Sequence, residues 1–391
     1  MPEISPFCGI RYNPEKIKNL SDVATQPYDQ INEAMEKEYK KLSPYNFVRL
    51  ILTKETAGHD REREYQDAKQ FLEAWLKDGI FIKDSTPSIY PYYQSFKIGK
   101  KEYIRKGIIC LLKIEELGKG NILPHERTLS KPKADRLNLM RTTQKNLEYV
   151  FMLYTDPKNQ TNNLLARACE KTPLINLQDK NNIRHQVWKI SDANTIKRVQ
   201  DLLKNSTMVI ADGHHRYETS FNYCAERKSQ NPKHTGEESY NFRLVTLVNI
   251  EDLGLVILPT HRLIKNIKDF DLKEFTNAAG EFFVVKPTTE KGIALELESA
   301  KEKAFGFYSS QGAYLLKLKS PDPLAKLLPT KTQEYRDLDV VLLHTLLIEN
   351  ILKIKPEEIE NHVKYERGVD KAIEYVKKGE YQFCFLMRVY W

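Results

Sequence analysis

The chain has 391 residues, more than one typical hydrophobic core accommodates, so we expect two or three lobes. Its content of 41% hydrophobic and 29% charged residues is ordinary for a soluble globular protein, and no apolar run approaches the ~18 residues that span a bilayer. The net charge of +8 is carried by lysines interleaved with acids, which argues against a dedicated nucleic-acid surface.

The N-terminus and the cysteines indicate the compartment. The first residues, Met-Pro-Glu-Ile-Ser-Pro-Phe, lack the basic start and apolar core of a secretory signal. The 5 cysteines are scattered and include no Cys-x-x-Cys pair, which argues against a zinc site or a disulfide framework. We therefore expect a cytoplasmic protein with no membrane or nucleic-acid partner. The sequence predicts no particular oligomeric state.

Periodicity and turn residues predict alternating helices and strands in the first half of the chain. Residues 1–58 are rich in turns. The predicted elements that follow are a helix through Tyr65–Leu76 ending at Gly79, a hairpin of strands Tyr90–Phe96 and Tyr103–Ile114 around Gly99-Lys100, a helix from Arg136 to about Leu147, a strand over Tyr149–Tyr154, and helices over Asn159–Cys169 and Asp192–Leu203.

The second half continues the same alternation. Its predicted elements are a strand over Thr207–Ala211, a helix with Tyr217, Phe221 and Ala225 on one side, a strand pair Phe242–Ile250 and Leu253–Leu258, a hairpin Ala304–Tyr308 and Ala313–Leu318, a helix Leu338–Leu352, and a terminal strand Tyr381–Val389. Hairpins that alternate with helices favour an α+β fold over a doubly wound parallel one. The sequence has no Gly-x-Gly-x-x-Gly and no Walker-type phosphate loop.

The run Asp212-Gly-His-His-Arg216 stands between a predicted buried strand and a predicted helix. A helix N-terminus presents unpaired N–H groups and a positive dipole end, so it favours anions. Gly213 permits a tight turn and close approach of a ligand, while His214, His215 and Arg216 add donors. Asp212 is expected to hold Mg²⁺ that bridges phosphates, or to accept a proton from an attacking hydroxyl.

Two other interpretations of this run remain open. Asp212 could simply cap the helix, a frequent role of aspartate, with the histidines on the surface. The adjacent histidines could hold a metal ion, although neighbouring His side chains rarely point at one ion and no third ligand is near in the sequence.

Other segments combine acids, imidazoles and cations. Ile122-Leu-Pro-His-Glu-Arg-Thr-Leu129 is followed by Lys131, Lys133, Asp135 and Arg136, and it is either part of a site or a salt-bridged surface loop. Gln26-Pro-Tyr-Asp29, Asn46-Phe-Val-Arg49 and Pro259-Thr-His-Arg262 are weaker candidates. For the last of these, packing at the edge of the core and contact with a ligand are equally open.

Several motifs together resemble those of the family called domain of unknown function 1015. They are Pro6-Phe7-x-Gly-x-Arg11, Pro27-Tyr-Asp29, His125-Glu-Arg-Thr128, Ala211-Asp-Gly-His-His-Arg-Tyr217 and Leu258-Pro-x-His-Arg262. The resemblance covers nearly the whole chain. It also implies a C-terminal Lys-Ser-Thr-Tyr-Phe run, which this sequence lacks.

The Asp212–Arg216 run is also similar to the phosphate-binding loop of the ParB/sulfiredoxin-like superfamily. That superfamily includes partition proteins that use CTP, sulfiredoxins that use ATP, and free-serine kinases. The serine kinases are the most similar, because they pair an Asp-Gly-His-His-Arg loop with an upstream Pro-His-Glu segment, which Pro124-His125-Glu126 matches. The resemblance implies that Glu126 is the catalytic base and that the loop holds phosphate and metal.

These expectations define a specific hypothesis. The fold is α+β, with a ParB/sulfiredoxin-like nucleotide-binding core over residues 86–265 between α+β regions at 1–85 and 266–391. The function is phosphorylation of a small hydroxyl compound, with free L-serine as the best candidate and ATP or ADP with Mg²⁺ as donor. A nucleotide-binding switch or adaptor related to the CTP-using partition proteins is the alternative, and an inactive scaffold is a third.

The hypothesis assigns roles to named residues. Glu126 and Asp212 are catalytic, and Asp212 is also the metal ligand. The nucleotide-binding residues are expected to be Gly213, His214, His215, Arg216, His125, Arg127, Arg136, His261 and Arg262.

Overall fold

The computed structural model describes residues 2–52, 61–98, 101–124, 130–256 and 259–388. The chain divides into two compact units, Met1–Leu255 and Val256–Trp391. The expected N-terminal region, residues 1–85, belongs to the first unit, because its first strand pairs with the large sheet of that unit. The expected boundary at residue 265 lies inside the second unit, within a segment that adjoins one of its strands.

The first unit is built on a nine-stranded mixed sheet and a separate two-stranded sheet. Its strands are β1 (Ile4–Ser5), β2 (Ile10–Tyr12), β3 (Phe81–Lys83), β4 (Tyr90–Ile98), β5 (Lys101–Lys113), β6 (Ile122–Leu123), β7 (Val150–Tyr154), β8 (Ile175–Gln178), β9 (Arg184–Val187), β10 (Met208–Asp212) and β11 (Phe242–Asn249). The large sheet has the order β6-β10-β7-β11-β5-β4-β9-β8, with β1 on β5. Only β6 with β10 and β7 with β11 pair in parallel among these described strands.

The described residues of this unit contain seven α-helices. They are α1 (Glu33–Leu42), α2 (Val48–Ile51), α3 (Arg61–Lys77), α4 (Ser130–Thr143), α5 (Gln160–Cys169), α6 (Ala193–Leu203) and α7 (His214–Ser229). Strand β7 shows the two-residue period of a sheet with one buried face, because Val150, Met152 and Tyr154 are buried while the residues between them are partly exposed. Helix α7 is anchored by Tyr217, whose hydroxyl accepts from the Glu115 N–H at 2.9 Å.

The second unit contains a six-stranded antiparallel sheet of order β13-β15-β14-β17-β12-β16. Its strands are β12 (His261–Ile264), β13 (Phe283–Thr288), β14 (Ala304–Ser309), β15 (Gly312–Leu318), β16 (Val363–Glu366) and β17 (Phe383–Leu386). Its helices are α8 (Leu272–Ala279), α9 (Glu290–Ser299), α10 (Gln333–Arg336), α11 (Asp339–Leu342), a π-helix (Leu343–Ile351), α12 (Ile359–His362) and α13 (Val369–Lys377). Phenylalanines of three strands and α8 pack against one another in its core.

The molecule is therefore a mixed α+β protein, as the sequence predicts. Helices α3, α5, α6 and α7, both long hairpins and the strand that begins near Tyr149 are confirmed within one to four residues. Within the described residues, no helix is long and apolar enough to cross a membrane.

Two sequence expectations need correction, and one needs an addition. No strand forms over the described residues 253–256, because Asp252 starts a turn in which its side chain accepts from the Gly254 N–H at 2.8 Å. The helix expected from Arg136 to about Leu147 begins at Ser130 and ends at Thr143, followed by Gln144 at φ 52°. The turn-rich segment 1–58 also contains α1 and α2, which the sequence analysis did not predict.

Candidate functional site

Strand β10 delivers the Asp212–Arg216 run to one edge of the large sheet. Asp212 at its end pairs with Phe151 near the start of the antiparallel neighbour β7. On the other side β10 pairs in parallel with β6, where Val209 lies opposite Leu123. The carboxyl ends of parallel strands point to the same edge of a sheet, and β6 ends opposite Val209, three residues before Asp212.

Gly213 makes the turn between β10 and α7. Its φ is 93°, in the left-handed region where residues with a side chain are strained. A Cβ there would lie 2.9 Å from Nε of Arg216, so the glycine also gives the guanidinium space. Gly213, not Asp212, occupies the N-cap position of α7. The interpretation of Asp212 as a helix cap is therefore wrong, and the N-cap residue offers no side-chain acceptor to the first turn.

Arg216 ties the first turn of α7 to the neighbouring strand and to Asp212. One guanidinium nitrogen donates to the Tyr149 carbonyl oxygen at 2.5 Å, and another forms an ion pair with the Asp212 carboxylate. Arg216 is only 6% exposed, whereas the Asp212 side chain is half exposed. Burial acts to lower the pKa of Arg216, but the carboxylates of Glu148, Asp212 and Asp29 outweigh it and raise the pKa.

A second buried arginine, Arg136 of α4, lies in the same region of the first unit. It donates to the Ile51 carbonyl oxygen at 2.8 Å and is paired with Asp135. Its guanidinium lies 4.2 Å from the centre of the Tyr28 ring, and the Tyr28 N–H donates to Glu148 at 3.3 Å. The Pro27-Tyr-Asp29 motif thus contributes to a cluster of buried arginines that includes Arg136 and Arg216.

Arg243 of β11 completes this cluster, although sequence analysis did not identify it. Arg243 is 2% exposed and donates to Asn146 at 2.7 Å, to Ser220 at 3.3 Å and to the carbonyl oxygen of Glu148. Burial and the positive charge of Arg216 lower the pKa of Arg243, and Glu148 opposes them. A small cavity of about 30 Å³ is lined by all three arginines and Glu148.

The two histidines of the loop differ in burial. His214 is 1% exposed and therefore part of the interior, whereas His215 is partly exposed at the start of α7. Because only His215 has substantial access to solvent, it is the imidazole better placed to meet a ligand.

Tyr92 belongs to a chain of hydrogen-bonded side chains. Its ring contacts the ring of Tyr149, whose carbonyl oxygen accepts the hydrogen bond from Arg216. The Tyr92 hydroxyl lies 2.6 Å from Nδ1 of His185, and Nε2 of His185 lies 3.2 Å from Asp179. The rings of Tyr92 and Tyr149 meet edge to face at 6.4 Å. Burial, followed by the neighbouring Tyr149, raises the pKa of Tyr92, so its hydroxyl stays protonated at neutral pH.

The described structure does not bring the remaining predicted residues to this loop. His125, Glu126 and Arg127 lie outside the described residues. His261 and Arg262 belong to β12 of the second unit, where both are buried. Nδ1 of His261 accepts from the Met387 N–H at 3.1 Å, and Arg262 donates to Nε2 of His344 at 3.3 Å.

The described residues contain no group of three or more His, Cys, Asp or Glu side chains that could hold a metal ion. A cation at Asp212 would thus need ligands besides the described side chains. Mg²⁺ commonly binds in this way, through one or two carboxylates, waters and the phosphates of a nucleotide.

The weaker candidate Asn46 has a structural role. It is fully buried, donates to the Asp22 carbonyl oxygen at 2.7 Å and accepts from the Val48 N–H at 3.0 Å. It therefore stabilises the start of α2.

Comparison with known proteins identifies one family. The model of the family described as "Protein of unknown function (DUF1015)" matches residues 4–341. No curated protein and no solved structure shows a significant match to the chain.

Proposed function

Since the chain belongs to the DUF1015 family, whose description assigns no activity, we propose a function from the site itself: phosphoryl transfer from a nucleotide to a small hydroxyl compound. Free L-serine is the best candidate acceptor, and ATP or ADP with Mg²⁺ is the donor. The observation that carries the proposal is the start of α7, where an exposed acid and a buried arginine flank a glycine turn. The relation of this chain to the ParB/sulfiredoxin-like kinases is part of the same proposal.

The residues at this edge suit a phosphate. The N-terminus of a helix of 16 residues provides N–H groups and a positive dipole end. The glycine lets the backbone approach a ligand closely, and Arg216 provides a fixed fork of donors. Arg216 needs no large rearrangement, because its contact with Tyr149 holds it in place.

The ion pair suggests how phosphate and cation would share the loop. Asp212 is half exposed and Arg216 is buried, so an incoming phosphate can replace the carboxylate at the guanidinium more easily than move the arginine. The released carboxylate is then available to Mg²⁺. Phosphoryl transfer depends mainly on positioning and charge neutralisation, which these two residues would provide.

The base in this proposal is Glu126, which the resemblance to serine kinases implies. Two flanking features support its proximity to the loop: β6, which precedes it, pairs with β10, and α4, which follows it, packs on α7. In the proposed step the acceptor hydroxyl oxygen attacks the terminal phosphorus, its proton passes to Glu126, and the nucleotide leaves with one phosphoryl group fewer.

A nucleotide screen tests the first half of the proposal. A ligand that binds only the folded state stabilises it by about 2.7 kcal/mol at roughly 100 times its Kd. We expect ATP or ADP with Mg²⁺ to raise the melting temperature of the wild type, and we expect Arg216→Ala to abolish most of this ligand-induced rise. Arg198→Ala, which changes an exposed arginine on α6, is the matched control and should behave like the wild type.

Calorimetric titration at a fixed temperature separates lost binding from lost stability in Arg216→Ala. Failure of ATP, ADP, CTP and GTP to shift the wild type at millimolar concentration would refute the phosphate site. Binding of CTP without turnover of any acceptor would favour the switch.

A further inference from the structure

The first unit contains a cavity of about 530 Å³ that the proposed function does not use. Its wall includes aromatic side chains from the N-terminal segment and from the large sheet with α7, namely Phe7, Tyr12, Phe81, Tyr223, Tyr240 and Phe242. The volume falls within the range of sites that bind small molecules, about 300–1,000 Å³. Aromatic walls of this kind bind flat apolar groups.

The charged side chains described at the wall of the cavity are all positive. Four cationic side chains line it, Arg11, Lys83, Lys145 and Arg227, and no described carboxylate does. Arg11 is paired with Asp84 at 3.2 Å. Within the described part of the chain, the other three form no ion pair, and the buried Nε of Arg227 has no hydrogen-bond partner.

The cavity is separate from the phosphate loop. Tyr223 lies ten residues beyond Gly213 along α7, which at 1.5 Å per residue is roughly 15 Å. The two regions are nevertheless linked, because Ser220 and Asn146 line the cavity and both accept hydrogen bonds from Arg243.

We propose that this cavity binds a small organic anion with a flat, apolar body. The aromatic wall takes the body, and Lys83, Lys145 and Arg227 attract the anionic group. The inference does not depend on the proposed phosphoryl transfer, because it rests on other residues and predicts binding alone.

Two fluorescent probes that differ by one sulfonate test the proposal on the full chain. The anion is 8-anilinonaphthalene-1-sulfonate, and the neutral counterpart is N-phenyl-1-naphthylamine. We expect the anion to bind one site per chain, at least tenfold more tightly than the neutral probe, with an affinity that falls as salt is added.

Three variants locate the binding. Lys83→Met/Arg227→Met removes two positive charges and keeps an unbranched, largely apolar side chain at each position. It should weaken binding of the anion about tenfold and leave binding of the neutral probe unchanged. Leu244→Trp places an indole in the cavity and should reduce the binding of both probes. Arg198→Met is the matched control on the exposed face of α6 and should change neither.

Thermal unfolding of each variant shows that it is folded before its binding is compared. Loss of anion affinity in the double variant together with loss of both probes in Leu244→Trp supports the proposal. No binding of the anion at millimolar concentration, or equal affinity in the wild type and the double variant, overturns it.

Discussion

The guanidinium of Arg216 joins the first turn of α7 to the Tyr149 carbonyl oxygen at the start of β7, at 2.5 Å. This contact fixes the position of the loop relative to the sheet, because Tyr149 immediately precedes a strand whose alternate residues are fully buried. The loop is therefore held in place before any ligand binds. Preorganised groups of this kind are effective in electrostatic catalysis, since they need no reorganisation during the reaction.

The glycine turn gives the first prediction. Gly213→Ala should destabilise the protein by about 1 kcal/mol from its positive φ alone, and by roughly 1–2 kcal/mol more because the new Cβ meets the Arg216 guanidinium. Gly236→Ala is a matched control, with φ 94° and no atom within 4 Å of its Cβ. Chemical denaturation of both variants measures the difference. Equal destabilisation of the two variants would show that the Arg216 guanidinium moves away from the new Cβ at no cost in free energy.

The ion pair at the loop gives the second prediction. Asp212→Asn keeps an acceptor for Arg216 but loses the charge, so stability should change by less than about 0.5 kcal/mol. The Mg²⁺-dependent part of nucleotide binding should weaken, since an amide is a poorer ligand for a hard cation. Calorimetric titrations with and without Mg²⁺ measure it. Asp201→Asn, in an exposed pair with Lys197, is the control, and an equal effect in both variants would remove Asp212 from the metal site.

The buried histidines of the second unit give the third prediction. Burial and the neighbouring Arg262 lower the pKa of His261 to about 4, opposed by Glu366, and the same two causes lower the pKa of His344 to about 4. Both rings accept hydrogen bonds through an unprotonated nitrogen, His261 from Met387 and His344 from Arg262. The folded state thus favours the neutral rings.

The sign of the pH dependence follows from linkage. Between the folded pKa of about 4 and the ordinary value of 6.5, the unfolded chain binds more protons, so stability falls as the pH drops through this window. The loss from pH 7 to pH 5 should be on the order of 2 kcal/mol for each histidine. Hydrogen exchange of β12 and β17 measures it in the full chain.

The double variant His261→Asn/His344→Gln is the control for this prediction. Each amide oxygen can replace the accepting ring nitrogen and does not titrate in this range. Exchange in β12 should then lose its acid sensitivity. If exchange in β12 remains acid-sensitive in the double variant, other titratable groups cause the effect.

Local sequence signals predict the elements of this protein better than their arrangement. The apolar positions of α3, α6 and α7 and the turn at Gln311-Gly312 are visible within short windows. The hairpin of β8 and β9 was missed because its strands are short and polar, although Asp179 and Asn182 mark the turn between them. The order of strands depends on contacts between distant parts of the chain, which periodicity does not carry.

The same distinction applies to the candidate site. The Asp212–Arg216 run was visible, because its residue types are unusual at the end of a strand. The roles of Glu148 and Arg243 were not, because each lies far along the chain from the arginine it influences. A charged residue within an otherwise apolar strand, such as Arg243 in β11, is the sequence signal that could have identified it. A buried charge is costly without partners, so such a residue is expected to have them.

Transfer of the terminal phosphate of ATP–Mg²⁺ to L-serine tests the central claim most directly. The assay measures phosphoserine formation by the wild type, by Glu126→Gln and by the control Glu116→Gln, which changes an exposed acid shortly before β6. The account predicts product with the wild type and the control, and a rate about 10²–10⁴ lower with Glu126→Gln at nearly unchanged nucleotide affinity. Full activity of Glu126→Gln, or tight nucleotide binding by the wild type without product from serine or any related hydroxyl compound, would contradict it.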